Sequence, residues 1–379
     1  MNPFTKLGID EKLADALEKR GIKNPTEIQE KGIPAILRGV DLIGQAPTGT
    51  GKTLAYLLPL LQGMEAALPQ AQAVILAPTY ELSMQIARTA QELLDDTGFG
   101  LRVLGLIGGA NIARQMEKLK KKPQLIVGSP GRILELSRKG KLKLEHIRYL
   151  VLDEFDRLLD DQNEQTIREL VTLLPKEGIQ HLMFSATGPK RARDRATFLN
   201  APEILRLTEV PSQRGKREDL YLMVPFRDKI DTVRKLARSL PVKRGLVFVS
   251  RTFDAEKHLS KLRYEGIRAE SLLGRSDKTA RKKALADFQK GSVQILIATD
   301  LAARGLDIPG VDYVFNLDLP ESANAYLHRA GRTARAGADG TVITLADKKE
   351  DEKLEDLQSH LGFRLKPLRR VKPRRSAKR

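Results

Sequence analysis

Short apolar runs alternate with longer segments of helical period along almost the whole chain. The clearest runs are AVILA (73–77), LIVG (125–128), YLVL (149–152), LMFS (182–185), LVFVS (246–250), ILIA (295–298) and VITLA (342–346). Continuous apolar runs flanked by helices are typical of parallel strands that are buried on both faces. The pattern therefore predicts an α/β fold in which each parallel sheet carries helices on both faces.

One segment interrupts this pattern. TEVPSQRGKREDL (208–220) combines Pro, Gly, Ser and charged residues without any apolar period, which is typical of an interdomain connection. A chain of 379 residues is also long enough for two domains. We therefore predict a first domain over 1–209, a short linker over 210–217, a second domain over 218–363 and a disordered basic tail over 364–379.

Half of the excess positive charge lies at the C-terminus. The formal net charge is +18, and the last 16 residues carry nine Lys or Arg and no acid. Such a tail has too few apolar residues to fold and is typical of contact with phosphate, on a nucleic acid or on an anionic membrane surface. A solubilising terminus is an equally good interpretation of this composition.

Composition also limits where the protein works. There is no cysteine, which excludes disulfides and thiolate metal sites, and we expect no structural metal. No stretch approaches the roughly 18 consecutive apolar residues of a membrane span. The N-terminus, MNPFTKLGIDEKL, lacks the basic start and apolar core of a secretion signal. We therefore expect a cytoplasmic protein without membrane attachment, and we expect a monomer.

The run DLIGQAPTGTGKTLAYLLPLL places an apolar strand, a glycine turn and an apolar helix in sequence. The turn is a Walker A phosphate loop with Ala in the first Gly position, and its residues are Ala46, Pro47, Thr48, Gly49, Thr50, Gly51, Lys52 and Thr53. Its glycines let backbone amides converge on phosphate oxygens at the positive end of the following helix. Lys52 would reach the β- and γ-phosphates of ATP, and Thr53 would ligate Mg²⁺. A chance glycine turn is a poor explanation, because a strand and a helix flank the loop.

A second motif supplies the acidic part of this chemistry. YLVLDEFD delivers two carboxylates at the end of an apolar run, where open α/β sheets bind ligands. Asp153 would hold Mg²⁺, directly or through water, and Glu154 would orient and polarise the attacking water. An acidic helix N-terminus, favoured by the helix dipole, is the structural alternative. A Walker loop in the same predicted domain favours the catalytic interpretation.

Together these motifs resemble those of the DEAD-box RNA helicases, over residues 4 to about 337. DEFD (153–156) stands at the position of the family's name-giving tetrapeptide, and SAT (185–187) follows the next apolar run. The resemblance implies two RecA-like domains, RNA-stimulated ATP hydrolysis, domain closure and local unwinding of short RNA duplexes. It also implies residues that couple the nucleotide state to RNA, namely Asp156, Ser185, Thr187 and His328. By analogy, it points to ribosome assembly or RNA decay.

GIKNPTEIQ (21–29) resembles the adenine-reading element of the family. The resemblance implies that Gln29 hydrogen-bonds the adenine edge and that Phe4 and Ile22 support the base. Thr26 to Gln29 also forms a capping box, in which Gln29 satisfies a helix N-terminus instead. Both roles stay open, and the two are compatible.

The resemblance further implies an RNA surface built on contacts to the sugar–phosphate backbone. Its residues are Pro78, Thr79, Tyr80, Gly108, Gly109, Pro130, Gly131, Arg132, Arg281, Thr299 and Arg304. Glycines permit close backbone approach, helix N-termini bind phosphates and arginines add positive charge. Aromatic residues make up only 5% of the chain and Trp is absent, so stacking platforms for bases are not evident. We therefore expect RNA recognition with little sequence specificity.

Two segments of the second predicted domain would complete the nucleotide site. In ATDLAARGLD (298–307), Asp307 matches the ribose contact of the family. In HRAGRTARAG (328–337), Arg332 and Arg335 match arginine fingers, which stabilise charge on the transferring γ-phosphoryl group. A solvated basic helix face is the alternative interpretation of the second string.

Several positions depart from the usual family pattern. Tyr80 stands where arginine is usual and Lys278 where glutamine is usual, while Phe155 puts a bulky ring into the acidic motif. Ala330 and Ala334 replace larger or more flexible residues beside the predicted fingers. None of these changes removes a group required for hydrolysis, so they bear on the strength of RNA coupling. They keep open an ATP-gated RNA clamp that does not unwind; a DNA translocase on the same core is the third hypothesis.

Overall fold

The computed structural model describes residues 2–47, 49–161, 163–186, 190–207, 215–250, 252–272, 278–303, 308, 310–334 and 338–368. The chain divides into two compact units, Met1–Glu209 and Val210–Arg379. In its described part, each unit contains a seven-stranded sheet together with helices.

The first unit contains strands β1 (Leu42–Gln45), β2 (Ala73–Leu76), β3 (Val103–Leu106), β4 (Leu125–Gly128), β5 (Tyr149–Asp153), β6 (Gln180–Ser185) and β7 (Glu203–Arg206). Its helices are α1 (Glu11–Lys19), α2 (Glu27–Leu37), α3 (Lys52–Gly63), α4 (Tyr80–Thr97), α5 (Ile112–Leu119), α6 (Pro130–Arg138), α7 (Phe155–Leu158), α8 (Glu164–Thr172) and α9 (Lys190–Arg195). A short 3₁₀ turn, Thr5–Leu7, precedes α1.

The strands of the first sheet lie in the order β3-β4-β2-β5-β6-β1-β7, and each neighbouring pair is parallel. Successive residues face opposite sides of the sheet. On β2, Ala73 and Ile75 belong to the apolar cluster on one face of the sheet. Val74 and Leu76 belong to a second apolar cluster on the opposite face. All four residues of β2 are buried, because helices cover both faces. This double burial explains why the run shows no polar alternation.

The second unit repeats this architecture. Its strands are β8 (Arg217–Met223), β9 (Gly245–Phe248), β10 (Ala269–Ser271), β11 (Ile295–Ala298), β12 (Tyr313–Asn316), β13 (Gly340–Ala346) and β14 (Lys366–Pro367), in the parallel order β10-β11-β9-β12-β13-β8-β14. Its helices are α10 (Lys229–Ser239), α11 (Thr252–Tyr264), α12 (Lys278–Gln289), α13 (Asp300–Ala303), α14 (Ala323–Ala330) and α15 (Asp351–Leu361). Two 3₁₀ turns, Phe226–Asp228 and Lys348–Glu350, precede α10 and α15.

The predicted α/β class with two parallel sheets is confirmed, and each apolar run of the sequence coincides with a strand. Among the strands that the pattern did not single out is the edge strand β7. β7, at one edge of the first sheet, alternates half-buried and exposed residues, and Ile204 is 47% exposed. An edge strand buries less apolar surface than a central one, so its sequence carries a weaker signal.

The disorder predicted for the tail from residue 364 is wrong at its beginning. Lys366 and Pro367 pair in parallel with β8, and the Leu368 N–H donates to the Tyr221 carbonyl. Leu365 is buried, and its N–H donates to the side chain of Gln358 on α15. One apolar side chain and a strand edge are enough to order this short segment, which the high positive charge concealed.

None of the helices that the structure describes is both long enough and apolar enough to span a membrane.

Candidate nucleotide site and nucleic-acid interface

The carboxyl ends of the first sheet carry the predicted motifs in two groups. The neighbouring strands β1, β6 and β5 lead into the phosphate loop, SAT and DEFD. The neighbouring strands β2, β4 and β3 lead into residues 78–80, 130–132 and 108–109. Parallel strands end at one edge of a sheet, which is where α/β proteins bind ligands. Strand order therefore separates the predicted nucleotide residues from the predicted RNA residues along one edge.

The phosphate loop is held by its own lysine. The Lys52 ammonium donates to the Ala46 carbonyl (2.6 Å) and to the Pro47 carbonyl (2.9 Å), and the Thr50 hydroxyl donates to the same Pro47 oxygen (2.8 Å). Gly49 (φ 79°) and Gly51 (φ 87°) adopt left-handed backbone conformations. α3 begins at Lys52, so the loop passes directly into a helix N-terminus. A glycine-containing loop that ends at a helix N-terminus and holds a lysine ammonium is the arrangement that phosphate binding requires.

Gln29 joins the capping box of α2 to the phosphate loop. Its side-chain oxygen accepts the Thr26 N–H (2.9 Å), and its side-chain nitrogen donates to the Gly51 carbonyl (3.0 Å). The Thr26 hydroxyl donates to the Thr50 carbonyl (2.6 Å). A Cβ at position 51 would lie 2.3 Å from the Gln29 nitrogen, so only glycine fits there. The capping role is therefore present, and the same side chain supports the loop.

Asp153 lies buried at the end of β5, with a partner on each carboxylate oxygen. One oxygen accepts the Glu154 N–H (3.0 Å), and the other accepts the phenol of Tyr56 on α3 (2.8 Å). Burial raises the pKa of this carboxyl, while the Tyr56 hydrogen bond and the Lys52 charge act in the opposite direction. Sequence reasoning missed Tyr56. The available signal was a hydroxyl-bearing ring in an apolar helix, one turn after Thr53.

The other residues of DEFD point in different directions. Glu154 adopts a left-handed backbone conformation (φ 55°), which is costly for a non-glycine residue and is typical of functional sites. Phe155 is fully buried in the apolar cluster that also contains Leu158 and Ile167. The expected intrusion of Phe155 beside Glu154 is therefore wrong, because α7 turns the ring into the core.

DEFD and SAT are directly connected. The Ser185 hydroxyl donates to the Asp156 carboxylate (2.5 Å), and the Ser185 carbonyl accepts the Ala46 N–H at the start of the phosphate loop (3.1 Å). A movement of Ser185 would therefore change hydrogen bonds to both the acidic motif and the phosphate loop.

The residues at the phosphate loop and at the end of β5 suit a magnesium ion that is also bound by phosphate. Within the part of the chain that the structure describes, no three His, Cys, Asp or Glu side chains come close enough to hold a metal by themselves. Mg²⁺ typically takes one or two protein oxygens and completes its shell with phosphate oxygens and water. Thr53 and the buried Asp153 fit that mode of binding, because Thr53 lies in the first turn of α3 and Asp153 is hydrogen-bonded to Tyr56 of the same helix.

The first unit's predicted RNA residues surround two helix N-termini. Thr79 caps α4, because its hydroxyl accepts the Leu82 N–H (3.2 Å), and Tyr80 is the first residue of that helix. Pro130 occupies the first turn of α6. The Arg132 guanidinium donates to the Ala110 carbonyl (3.3 Å) and pairs with Glu135 (3.0 Å), which ties α6 to the 108–110 loop.

Three glycines of this surface are open. A Cβ built on Gly108, Gly109 or Gly131 would meet nothing within 4 Å. Gly109 needs glycine for its backbone (φ 69°), but Gly108 and Gly131 have no such requirement. The fold would therefore accept a side chain at both positions.

In the second unit, the arginine-rich segment that begins at His328 contains the buried Arg329, which forms an ion pair with Asp300 (the Asp300–Arg329 lock). One edge of the Arg329 guanidinium, Nε and Nη2, donates to the Asp300 carboxylate (2.8 and 2.6 Å). Its Nη1 donates to the Asn316 side chain (3.2 Å) and to the Asp318 carbonyl (2.8 Å), and the guanidinium carbon lies 5.1 Å from the centre of the Phe248 ring. Arg329 was not among the predicted site residues, yet it fixes α14 to α13. His328 and Arg332 beside it are buried as well. A solvated basic helix face does not describe this string.

Two predicted RNA residues of the second unit meet at α13. The Thr299 hydroxyl caps this helix by accepting the Ala302 N–H (3.2 Å), and the Arg281 guanidinium donates to the Ala302 carbonyl (3.2 Å). Five predicted site residues lie outside the described residues: Thr48, Thr187, Arg304, Asp307 and Arg335.

The predicted supports of the adenine base are placed differently from each other. Phe4 is fully buried in the core cluster that includes Leu13 and Leu17. Ile22 is only partly buried against the same cluster. The Phe4 ring therefore contributes to packing of the core. That it also supports an adenine base stays a prediction.

A parallel sheet with a phosphate loop after one strand and an acidic pair after a nearby strand defines a phosphate-loop nucleotide hydrolase. Residues 26–195 match the DEAD/DEAH box helicase family, and residues 228–337 match the helicase conserved C-terminal domain. The chain therefore belongs to the DEAD/DEAH box helicase family, and it is an ATP-hydrolysing enzyme of that family.

Curated relatives agree over nearly the whole chain. The DEAD-box ATP-dependent RNA helicase CshC of Bacillus cereus is 41% identical over 93% of this chain and 89% of its own length. The probable ATP-dependent RNA helicase YfmL of Bacillus subtilis is 40% identical over 91% of each chain.

Solved structures agree on the fold. S. cerevisiae Dbp5 bound to RNA and ADP BeF3 has a TM-score of 0.85 and 30% identity, and the match covers 97% of this chain and 96% of that one. A DEAD box protein from the hyperthermophile Methanococcus jannaschii has a TM-score of 0.60 and 29% identity, with 97% and 99% covered. The two sheets of this chain are thus tandem RecA-like domains.

Proposed function

We propose that this protein is an ATP-dependent RNA helicase, in which RNA-stimulated ATP hydrolysis drives local unwinding of short RNA duplexes. One observation carries the proposal. The carboxyl edge of the first sheet presents the phosphate loop and Asp153 at one group of strands, and open glycines at helix N-termini at the other group. A single rigid edge with both features can bind ATP and a nucleic-acid backbone side by side.

The chemistry follows from the residues of the first group. Lys52 exchanges its loop carbonyls for the β- and γ-phosphate oxygens, and the loop amides bind the same phosphates. Thr53 and Asp153 would hold Mg²⁺, which would neutralise charge on the phosphates. Glu154 orients the attacking water and accepts its proton. Gln29 uses half of its hydrogen-bonding capacity on Thr26 and Gly51, so adenine recognition through the other half is compatible with its place in the loop.

Turnover also requires arginine from the second unit. We assign this role to Arg332 and Arg335, with Asp307 at the ribose. Arg332 is supported by the Asp300–Arg329 lock that fixes the preceding helix. An arginine finger contributes on the order of 10³–10⁵ in rate. ATP and RNA would together bring the two units into contact, so that RNA governs hydrolysis.

RNA is the proposed nucleic acid for two reasons. The curated relatives carry RNA helicase in their names, and Dbp5 was solved with RNA bound. The glycines and helix N-termini of the first unit suit sugar–phosphate contacts with little sequence specificity, and 2′-hydroxyls would distinguish RNA from DNA. Competition between single-stranded RNA and DNA of one sequence tests this choice. A role in ribosome assembly or RNA decay is a further proposal that sequencing of crosslinked RNA in cells would test.

The experiment that tests the function is an unwinding assay. A short RNA duplex with a single-stranded extension is mixed with ATP and the full chain, and with the Lys52→Ala variant as control. The proposal expects strand separation with the natural protein only. Absence of unwinding beside intact RNA-stimulated ATP hydrolysis would favour the alternative, an ATP-gated RNA clamp, for which Tyr80 in place of a usual arginine is the motivating observation.

A further inference from the structure

The phenol of Tyr56 links the helix of the phosphate loop to the acidic motif. Tyr56 lies on α3, one turn after Thr53, and its hydroxyl donates to the Asp153 carboxylate over 2.8 Å. Burial raises the pKa of Tyr56 well above its usual value, and the Thr53 side chain, which is close enough to act on the phenol, acts in the opposite direction. Both Tyr56 and Asp153 are buried, at 0% and 4% exposure. One phenol is therefore hydrogen-bonded to Asp153 and lies on the same helix as Thr53, the two proposed protein ligands of the ion.

This arrangement solves a chemical problem of the ligand set. A threonine hydroxyl that binds a cation through oxygen must give its own proton to another acceptor. The phenol oxygen of Tyr56 can accept that proton, while the phenol donates its own proton to Asp153. Asp153 then keeps one carboxylate oxygen fixed by Tyr56 and the other by the Glu154 N–H. Metal ligands are commonly oriented by a second layer of hydrogen bonds of this kind.

We propose that Tyr56 is a positioning residue for the magnesium site, orienting the Thr53 hydroxyl and the Asp153 carboxylate through its phenol. The inference rests on the proposed function of this site. A packing role is the competing account, because the Tyr56 ring also contacts Phe184 with its centroid 5.3 Å away. The Tyr56→Phe variant distinguishes the two roles, because phenylalanine would preserve the packing and remove the hydroxyl that is bonded to Asp153.

The test is the magnesium dependence of nucleotide binding in the full chain, without RNA and without turnover. A fluorescent, non-hydrolysable ATP analogue is titrated with Mg²⁺ for the natural protein and for Tyr56→Phe, and its affinity is also measured in chelator. The inference expects the Mg²⁺ midpoint of Tyr56→Phe to rise roughly tenfold, with affinity in chelator unchanged. An unchanged midpoint, or an equal loss of affinity with and without Mg²⁺, would overturn it.

The chain offers a matched control. The Tyr326 phenol, also fully buried, donates to the Asp219 carboxylate over 2.7 Å in the second unit. Tyr326→Phe removes the same kind of bond away from the phosphate loop and should leave the Mg²⁺ midpoint unchanged. A similar rise in both variants would mean a general loss of stability and would overturn the inference. If the natural protein binds the analogue without any Mg²⁺ dependence, the proposed magnesium site itself fails.

Discussion

The Gln29 side-chain amide donates to the carbonyl oxygen of Gly51 over 3.0 Å, while its own oxygen accepts the Thr26 N–H. The residue that caps α2 thus also supports the phosphate loop, through a hydrogen bond to a residue that is 22 positions later in the chain. The capping and nucleotide interpretations of this glutamine do not compete, because one planar amide can serve both ends. The relationship also makes a specific prediction about a near-isosteric change.

Gln29→Glu should keep the cap and weaken the loop. Glutamate accepts the Thr26 N–H as glutamine does, but it loses the donor to Gly51 and places an oxygen against the Gly51 carbonyl. We expect ATP affinity to fall about tenfold or more, measured by equilibrium titration. The control is Gln294→Glu, which removes half-buried amide donors to the Ala237 and Val242 carbonyls in the second unit. Equal ATP affinity of Gln29→Glu and the natural protein would refute the role of Gln29 in supporting the phosphate loop.

Gly131→Ala should separate RNA binding from folding. A Cβ at this position meets nothing within 4 Å, and alanine suits the first turn of α6 better than glycine. We expect the free energy of unfolding to rise by about 0.5 kcal/mol. RNA affinity should nevertheless fall, because the methyl group would stand where we propose that the sugar–phosphate backbone approaches.

The matched control is Gly32→Ala, a helical glycine of α2 whose Cβ would make ordinary contacts at 3.9 Å. It should leave RNA affinity unchanged. Filter binding at several salt concentrations measures both variants. Unaltered RNA affinity in Gly131→Ala would remove the α6 N-terminus from the proposed interface.

Ala334 carries a strained backbone beside the proposed fingers. Its φ is 55°, which is unfavourable for a residue with a Cβ, and it is buried. Ala334→Gly should therefore raise the free energy of unfolding of the second unit by about 1 kcal/mol, as followed in urea. Ala330→Gly, at the end of α14, should instead lower it, because glycine weakens a helix and deletes a buried methyl group. If both variants changed the free energy of unfolding in the same direction, backbone strain at Ala334 would be contradicted.

Asp41 predicts a pH dependence of stability. It accepts the His181 N–H (2.7 Å) and the Asn200 N–H (2.8 Å). Burial raises its pKa, but the bonds from His181 and Asn200 prevail, so its pKa lies below the usual 3.8. The stabilisation is therefore present above about pH 4 and is lost as the pH falls through the folded-state pKa.

Asp41→Asn tests this group. Asparagine cannot accept at both of its terminal atoms, so we expect a loss of about 1–3 kcal/mol at neutral pH. The difference from the natural protein should shrink in acid below pH 4, as measured by urea unfolding across pH. A difference that is constant down to pH 3 would contradict the assignment.

The central sheets could be predicted from sequence because their strands are buried on both faces. Short apolar runs such as ILIA and YLVL, flanked by helical segments, predict buried parallel strands. The phosphate loop is predicted from the local spacing of its residues. Edge strand β7 could not be read in the same way, since it alternates half-buried and exposed residues. The first residues of the basic tail were missed because their charge hides one buried side chain, Leu365.

Contacts between distant residues were the other limit. The motif spacing identifies Asp153, but it contains nothing about Tyr56, which precedes Asp153 by 97 residues and meets it only in the folded sheet. Likewise, the direction of Phe155 depends on the turn of α7, so a bulky residue next to Glu154 in sequence lies away from it in space. Adjacency in sequence is a weak guide at the end of a strand, where the backbone changes direction.

The most direct measurement of the central claim is the steady-state rate of ATP hydrolysis with and without single-stranded RNA, for the natural protein, Glu154→Gln and Arg332→Ala. The account predicts a nearly idle natural enzyme that RNA activates strongly. It predicts negligible turnover in both variants, with ATP binding retained in Glu154→Gln. A natural enzyme that hydrolyses ATP equally fast without RNA, or an Arg332→Ala variant with normal RNA-stimulated turnover, would contradict it.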